Sequence, residues 1–241
     1  MKHTYFIEGA DNVGKTTCIE MLKNNFIQDI KCSQVTFAKY PSETIIPKVN
    51  ELISQQKEIK LDSDESETQY NKLNFLIMLL FLYDMQESFK TSESETINIC
   101  DRGWLSTYLY NFRPAYINSK KYLSKNESMM LSIFIQTYLN SLCKIKSDIH
   151  TIILNNNLNQ QLNIDETETI AYKKIFDNDT NIQSSVNYAI SEIIKMIDNG
   201  SYDIVNNFHY INIYDENKNR KPAEVLCKEI ISIVNKEENN V

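Results

Sequence analysis

The sequence predicts an α/β fold in three layers, with a five-stranded parallel sheet flanked by helices, and three observations carry that reading. Runs rich in β-branched and aromatic residues alternate with helical segments along the chain, the pattern of a parallel sheet covered on both faces. The first run leads into Gly9-Ala10-Asp11-Asn12-Val13-Gly14-Lys15-Thr16, a G-x-x-x-x-G-K-[ST] pattern with a helical segment behind it. A second polar cluster, Asp101-Arg102, directly follows the third run, and ligand sites in such sheets gather outside the strand carboxyl ends.

Taken in order, residues 3–7 form the first strand, and Cys18 to Lys23 continue the helix after the glycine loop. Gln34 to Ala38 are the second strand, ended by Lys39-Tyr40-Pro41 because proline lacks the N–H that pairing needs. Ile45 to Ile53 read as a helix with Pro47 in its tolerant first turn. Asp62, Asp64, Glu65 and Glu67 are expected in a solvated loop. Residues 68–90 form a long helix whose middle, Phe75 to Phe81, is apolar all round and is expected to be buried on several sides, in the core or in a dimer interface. Thr96 to Cys100 are the third strand, helices follow over 104–112 and 126–145, and Ile149 to Leu154 are the fourth strand. Residues 158–198 are helical with a break near Asp177 to Thr180, and Tyr210 to Tyr214 are the fifth strand. Pro222 opens the last helix, where proline is tolerated, and the tail from Lys236 frays. No repeat or linker divides the chain, so a single domain over 1–241 is expected.

Composition bounds the function. The formal net charge of −7 argues against a broad nucleic-acid surface, while a small nucleotide needs only local compensation. Cys18, Cys32, Cys100, Cys143 and Cys227 are dispersed with no C-x-x-C pair, which points to reduced thiols in a cytoplasmic protein rather than to zinc or disulfides. Met1-Lys2-His3 runs directly into the first strand with no signal-peptide core, and the most apolar run, Leu73 to Tyr83, is too short to span a bilayer. Arginine occurs only at 102, 113 and 220, so a phosphate site that uses a planar, forked donor must draw on those positions.

The glycine loop carries the chemistry. Two of the four glycines in the chain, Gly9 and Gly14, stand at its two defining positions. They let backbone N–H groups of Gly9, Asn12, Val13, Gly14, Lys15, Thr16 and Thr17 converge on phosphates at a helix N-terminus. In such a loop Lys15 bridges the β- and γ-phosphates of ATP and the Thr16 hydroxyl takes a Mg²⁺ position. Strand, loop and helix in this order give a P-loop NTPase-type fold. After Asp101-Arg102, helical spacing puts Ser106 and Thr107 on one face with Tyr110, and Arg102 at a strand's carboxyl end suits charge compensation in phosphoryl transfer.

The run Phe6-Ile7-Glu8-Gly9-Ala10-Asp11-Asn12-Val13-Gly14-Lys15-Thr16-Thr17 resembles the opening of thymidylate kinases, and Asp101-Arg102 with Ser106 and Tyr110-Asn111 resembles their D-R-x-x-x-S-x-x-x-Y-Q motif. Tyr40-Pro41 falls where that family has Phe-Pro. The resemblance implies transfer of the ATP γ-phosphoryl group to a deoxypyrimidine monophosphate, dTMP or dUMP, with Mg²⁺. It implies that Asp11 meets the sugar and acceptor side, Arg102 clamps a phosphate, Tyr110 excludes a 2′-hydroxyl, and Thr107 hydrogen-bonds the base edge. Glu8 and Asp101 join Thr16 at the metal, and Phe81 either stacks on the base or packs in the core. A homodimer is a further implication.

The departures from the family pattern are specific. Ser42 and Glu43 stand where an acceptor-phosphate arginine is usual, leaving Lys39 or Arg113 as substitutes, and Met85 replaces an arginine that reads the base. A lid-like region at about 158–180 offers Lys173 and Lys174 rather than arginines, and Asn12 replaces a loop arginine. Two other functions therefore stay open on sequence alone: a deoxynucleoside kinase acting on thymidine or another nucleoside, and a catalytically idle nucleotide-binding module.

Overall fold

The computed structural model describes residues 2–9, 12–60, 62–90, 96–107, 147–158 and 206–238. Its centre is a five-stranded sheet in the order β2-β3-β1-β4-β5, formed by β1 (Lys2–Glu8), β2 (Gln34–Lys39), β3 (Thr96–Asp101), β4 (Ser147–Asn155) and β5 (Asn206–Asn212). Every pairing is parallel. Strand β1 lies in the middle, and its Tyr5, Phe6 and Ile7 are all fully buried. Successive side chains of a strand point to opposite faces, so this continuous apolar run is what a strand covered on both sides requires.

The helices are α1 (Lys15–Met21), α2 (Ile46–Glu58), α3 (Asp64–Lys90), α4 (Trp104–Thr107) and α5 (Ala223–Glu238), with α1 running on into a π-turn over Leu22–Phe26 and a 3₁₀ turn over Ile27–Asp29. The main core joins β1, β3 and β4 to α1 and α5 through Cys18, Ile19, Leu22, Ile230 and Val234. A satellite cluster of Val49, Leu52 and Ile77 fastens α2 to α3.

Three elements differ from the sequence reading. Asp64, Glu65 and Glu67 lie in the first turn of α3 rather than in a loop. Carboxylates there are favoured by the helix dipole, and Ser63 and Ser66 cap the end reciprocally, Ser66 N–H donating to Ser63 Oγ and Ser63 N–H to Ser66 Oγ at 3.2 Å each. Within the apolar middle of α3, Ile77 and Met78 are buried, Phe75, Leu79, Leu80 and Phe81 are half-buried, and Leu76 is 45% exposed. Strand β5 begins four residues earlier than expected, because an edge strand tolerates Asn206 and Asn207, and Ile213 turns away to donate its N–H to the Asn155 carbonyl at 3.0 Å. Helix α2 also extends to Glu58, with Pro47 in its first turn as expected.

Candidate active site

The loop after β1 is shaped by backbone conformations that few residues adopt. Gly9 has φ 141° and Gly14 φ 101°, and Asn12 between them is left-handed at φ 62°. Gly9 is required twice, since a Cβ there would lie 2.6 Å from the Leu154 carbonyl oxygen on β4. Lys15, buried at the start of α1, folds back over the loop and donates from Nζ to the Gly9 carbonyl at 2.9 Å. Thr16 and Thr17 are exposed at the same helix N-terminus, and Val13 is fully buried beneath.

Strand β3 delivers the second constellation beside the first. Ile7 pairs with Asp101 in the parallel register, and Arg102 N–H donates to the Ile7 carbonyl at 3.1 Å, with Arg102 itself left-handed at φ 64°. Gly103 is needed for a different reason from the loop glycines: a Cβ there would lie 2.2 Å from the Phe6 ring. This close packing lets α4 start directly over β1. The two constellations meet where Thr16 Oγ1 donates to Asp101 Oδ2 at 2.9 Å.

Glu8 lies under the site, fully buried, and accepts from Ser106 N–H at 3.2 Å and from the Ser106 hydroxyl. Burial pushes its carboxyl above the usual range, opposed by the Ser106 hydrogen bonds and by the charges of Lys15 and Arg102. Thr107 is buried and donates its hydroxyl to the Gly103 carbonyl at 3.0 Å.

Of the three residues expected to hold Mg²⁺, Thr16 and Asp101 fit a hard cation, whereas Glu8 has both carboxylate oxygens on Ser106. Asp101 is buried, yet its Oδ1 has no hydrogen-bond partner among the described residues, while its Oδ2 is tied to the Thr16 hydroxyl. A buried carboxylate oxygen left over beside an exposed hydroxyl is an oxygen donor set of the kind magnesium takes. The described residues contain no group of three or more His, Cys, Asp or Glu suited to a metal.

Of the residues expected on the acceptor side, Lys39, Tyr40 and Pro41 lie at and just after the end of β2, and Phe81 and Met85 lie on α3. Lys39 is exposed and pairs with Asp101 in the sheet register, and Tyr40 is buried and joined to Pro41 by a cis peptide. Phe81 is half-buried against the satellite cluster. Met85 lies in α3, but its side chain falls outside the described residues. Asp11, Tyr110, Asn111, Arg113, Lys173, Lys174, the helix expected at 126–145 and all but the first residue of the helical stretch expected at 158–198 also lie outside them.

Two features escaped the sequence reading. Asp84 on α3 is buried and accepts from Ser42 N–H at 2.6 Å and from Ser42 Oγ at 2.5 Å, so the serine that stands where an arginine is usual holds a carboxylate. Arg220, just before α5, donates from Nη2 to the Asn12 carbonyl at 2.7 Å; the scarcity of arginine was the signal that could have found it.

Two solved structures and one family model are similar to this chain. The chain has the fold of the thymidylate kinase of Candida albicans, with TM-score 0.52 at 17% identity over 100% of this chain and 94% of that one. Thymidylate kinase from Ehrlichia chaffeensis aligns with TM-score 0.47 at 16% identity over 97% and 98% of the two chains. No curated protein sequence gives a match. The family model of thymidylate kinase matches residues 7–195, a span holding both the glycine loop and Asp101-Arg102, and the chain thus belongs to the thymidylate kinase family, phosphotransferases that take the phosphoryl group from ATP.

Proposed function

We propose that the chain transfers the γ-phosphoryl group of ATP to dTMP, with dUMP as a second acceptor, at the joined carboxyl ends of β1 and β3. The observation that carries this reading is the 2.9 Å bond from Thr16 Oγ1 to Asp101 Oδ2, which unites the phosphate loop with the Asp-Arg pair. In this reading the N–H groups of residues 9 and 12–17 receive the phosphates. Lys15 leaves the Gly9 carbonyl for the β- and γ-phosphates. Arg102 compensates charge on the moving phosphoryl group, while Glu8 and Ser106 hold the floor of the site. An acceptor phosphate oxygen attacks the γ-phosphorus, the bond to the β,γ-bridging oxygen breaks, and ADP leaves with that electron pair, without a covalent enzyme intermediate. When bound, Mg²⁺ would be held by Thr16 and Asp101 and would neutralise charge on the phosphate oxygens.

Asp11, Lys39, Tyr40, Pro41, Phe81, Met85, Thr107, Tyr110 and Asn111 are proposed to surround the acceptor. The remaining proposals are a single domain closed by a lid near 158–180, a cytoplasmic location, and a homodimer. Among the described residues no helix is long and apolar enough to cross a membrane. Exposed Leu76 and Tyr83, two turns apart on α3, are the apolar face available to a second copy.

The test is ATP turnover with Mg²⁺ against dTMP, dUMP, dGMP and thymidine in parallel. Diphosphate formed from dTMP or dUMP, with none of the thymidine phosphorylated, is the expected result. Turnover of thymidine alone would make the protein a nucleoside kinase, and silence with all four would overturn the assignment.

A further inference from the structure

The turn between β5 and α5 is closed on itself by backbone bonds. Asp215 N–H donates to the Asn219 carbonyl at 2.9 Å, Lys218 N–H to the Asp215 carbonyl at 3.0 Å, and Lys221 N–H to the Ile213 carbonyl at 2.9 Å. Asn219 N–H adds a bond to Asp215 Oδ1 at 2.8 Å, and Tyr214 N–H is held by Asn157 Oδ1 at 3.2 Å. Arg220 therefore leaves a backbone with little freedom. Its neighbour Lys221 is anchored to Glu229 on α5 by a 2.7 Å ion pair, and α5 is packed on α1, where Cys227 Sγ approaches the Cys18 carbonyl at 3.4 Å.

From this base the exposed Arg220 side chain reaches over the glycine loop to the Asn12 carbonyl, 2.7 Å from Nη2, and passes within 3.8 Å of where a Cβ on Gly14 would stand. Asn12 is the non-glycine residue that the loop holds at φ 62°, a conformation that asparagine tolerates at some cost. A charge-assisted bond to its carbonyl offsets that cost. The geometry has a directional consequence. In a trans peptide the C=O and the following N–H point opposite ways, so a guanidinium that fixes the Asn12 carbonyl turns the Val13 N–H away from itself.

We propose that Arg220 is a positioning residue of the phosphate loop: by clamping the Asn12–Val13 peptide from outside, it presets the Val13 N–H for the phosphates of the donor nucleotide. The inference rests on the loop's proposed role in binding ATP phosphates. It gives the chain's third arginine a function that neither a loop arginine nor a lid arginine supplies.

The test compares wild type, R220A and R220K in equilibrium binding of ATP and of inorganic tripolyphosphate, which has phosphates but no adenosine. The expected result is that R220A weakens both ligands by the same factor, about tenfold for one charge-assisted hydrogen bond, raises KM for ATP more than it lowers kcat, and keeps the circular dichroism spectrum of wild type. R220K, which retains one donor and the charge, recovers most of the affinity. The Val13 amide ¹H–¹⁵N resonance of the nucleotide-free protein moves in R220A and returns towards its wild-type position in R220K. Weaker ATP binding with unchanged tripolyphosphate binding would assign Arg220 to the adenosine and overturn the inference. Unchanged binding of both ligands would overturn it alone, whereas a wild-type protein that binds neither would overturn the loop reading with it.

Discussion

Lys15 and Glu8 show how single side chains are poised in the site. Lys15 is buried with its ammonium on the Gly9 carbonyl, a partner that a phosphate outcompetes because it adds full opposite charge. Lys15→Ala is expected to lower turnover by about a hundredfold or more while circular dichroism stays that of wild type. Glu8 answers to pH. Its carboxyl is raised above the ordinary 4.5 by burial, so the folded state binds its proton more tightly than the unfolded one. Its contribution is therefore most favourable below pH 4.5 and is lost as pH rises through the folded pKa. Relative to Glu8→Gln, wild-type stability from urea melts should fall as pH is raised from 4.5, and a parallel pair of curves would contradict this. Gly103→Ala tests packing, since the new methyl would meet the buried Phe6 ring at 2.2 Å; a loss of about 1–3 kcal/mol in denaturant melts is expected.

Elements act here through register. The pairing of Ile7 with Asp101 and of Lys39 with Asp101 places the ends of β1, β2 and β3 side by side, and a shift of one residue would invert every side chain. The parallel pairing of β1 with β4 and of β4 with β5 builds a row of histidines across these three strands. His3 Nδ1 lies 3.4 Å from His150 Nε2, and His150 Nδ1 lies 3.3 Å from His209 Nε2, with Tyr5 stacked on His150 at 4.6 Å. His209, at the open end of the row, has its pKa lowered from 6.5 by burial and by Lys236, against the raising effect of Glu237 on α5. The unfolded chain then takes up the proton first, so stability is full above pH 6.5 and falls as pH drops below it. Thermal melts of His209→Gln should be flatter than wild type between pH 6.5 and the folded pKa; an identical slope would remove His209 as the cause.

At the scale of the molecule, loop, sheet and final helix form one connected body, because α1 carries the phosphate loop and packs on α5 in the main core. Ligand binding at the loop should therefore stabilise the whole fold by mass action. Saturating Mg·ATP, at about a hundred times its Kd, is expected to add about 2.7 kcal/mol, read as a rise in melting temperature. The rise should shrink with EDTA and vanish in Lys15→Ala; a rise of the same size in that variant would place the nucleotide elsewhere.

The order of the described strands and helices, the glycine loop and the Asp-Arg pair were legible in the residues, because β-branched runs, glycine spacing and helical faces are local signals that tertiary context seldom reverses. Local reading failed where context chose between acceptable alternatives. The acidic residues from Asp64 made a better helix start than a loop once Ser63 capped them, and Asn206 and Asn207 joined an edge strand that their propensity disfavours. By itself the sequence determined the fold class and which residues could carry charge to a phosphate. Only the tertiary structure decided which of them meet. The Thr16–Asp101 bond spans 85 positions, the Ser42–Asp84 bond 42, and the Arg220–Asn12 bond 208. Such contacts are set by strand order and helix packing, which no window of sequence contains.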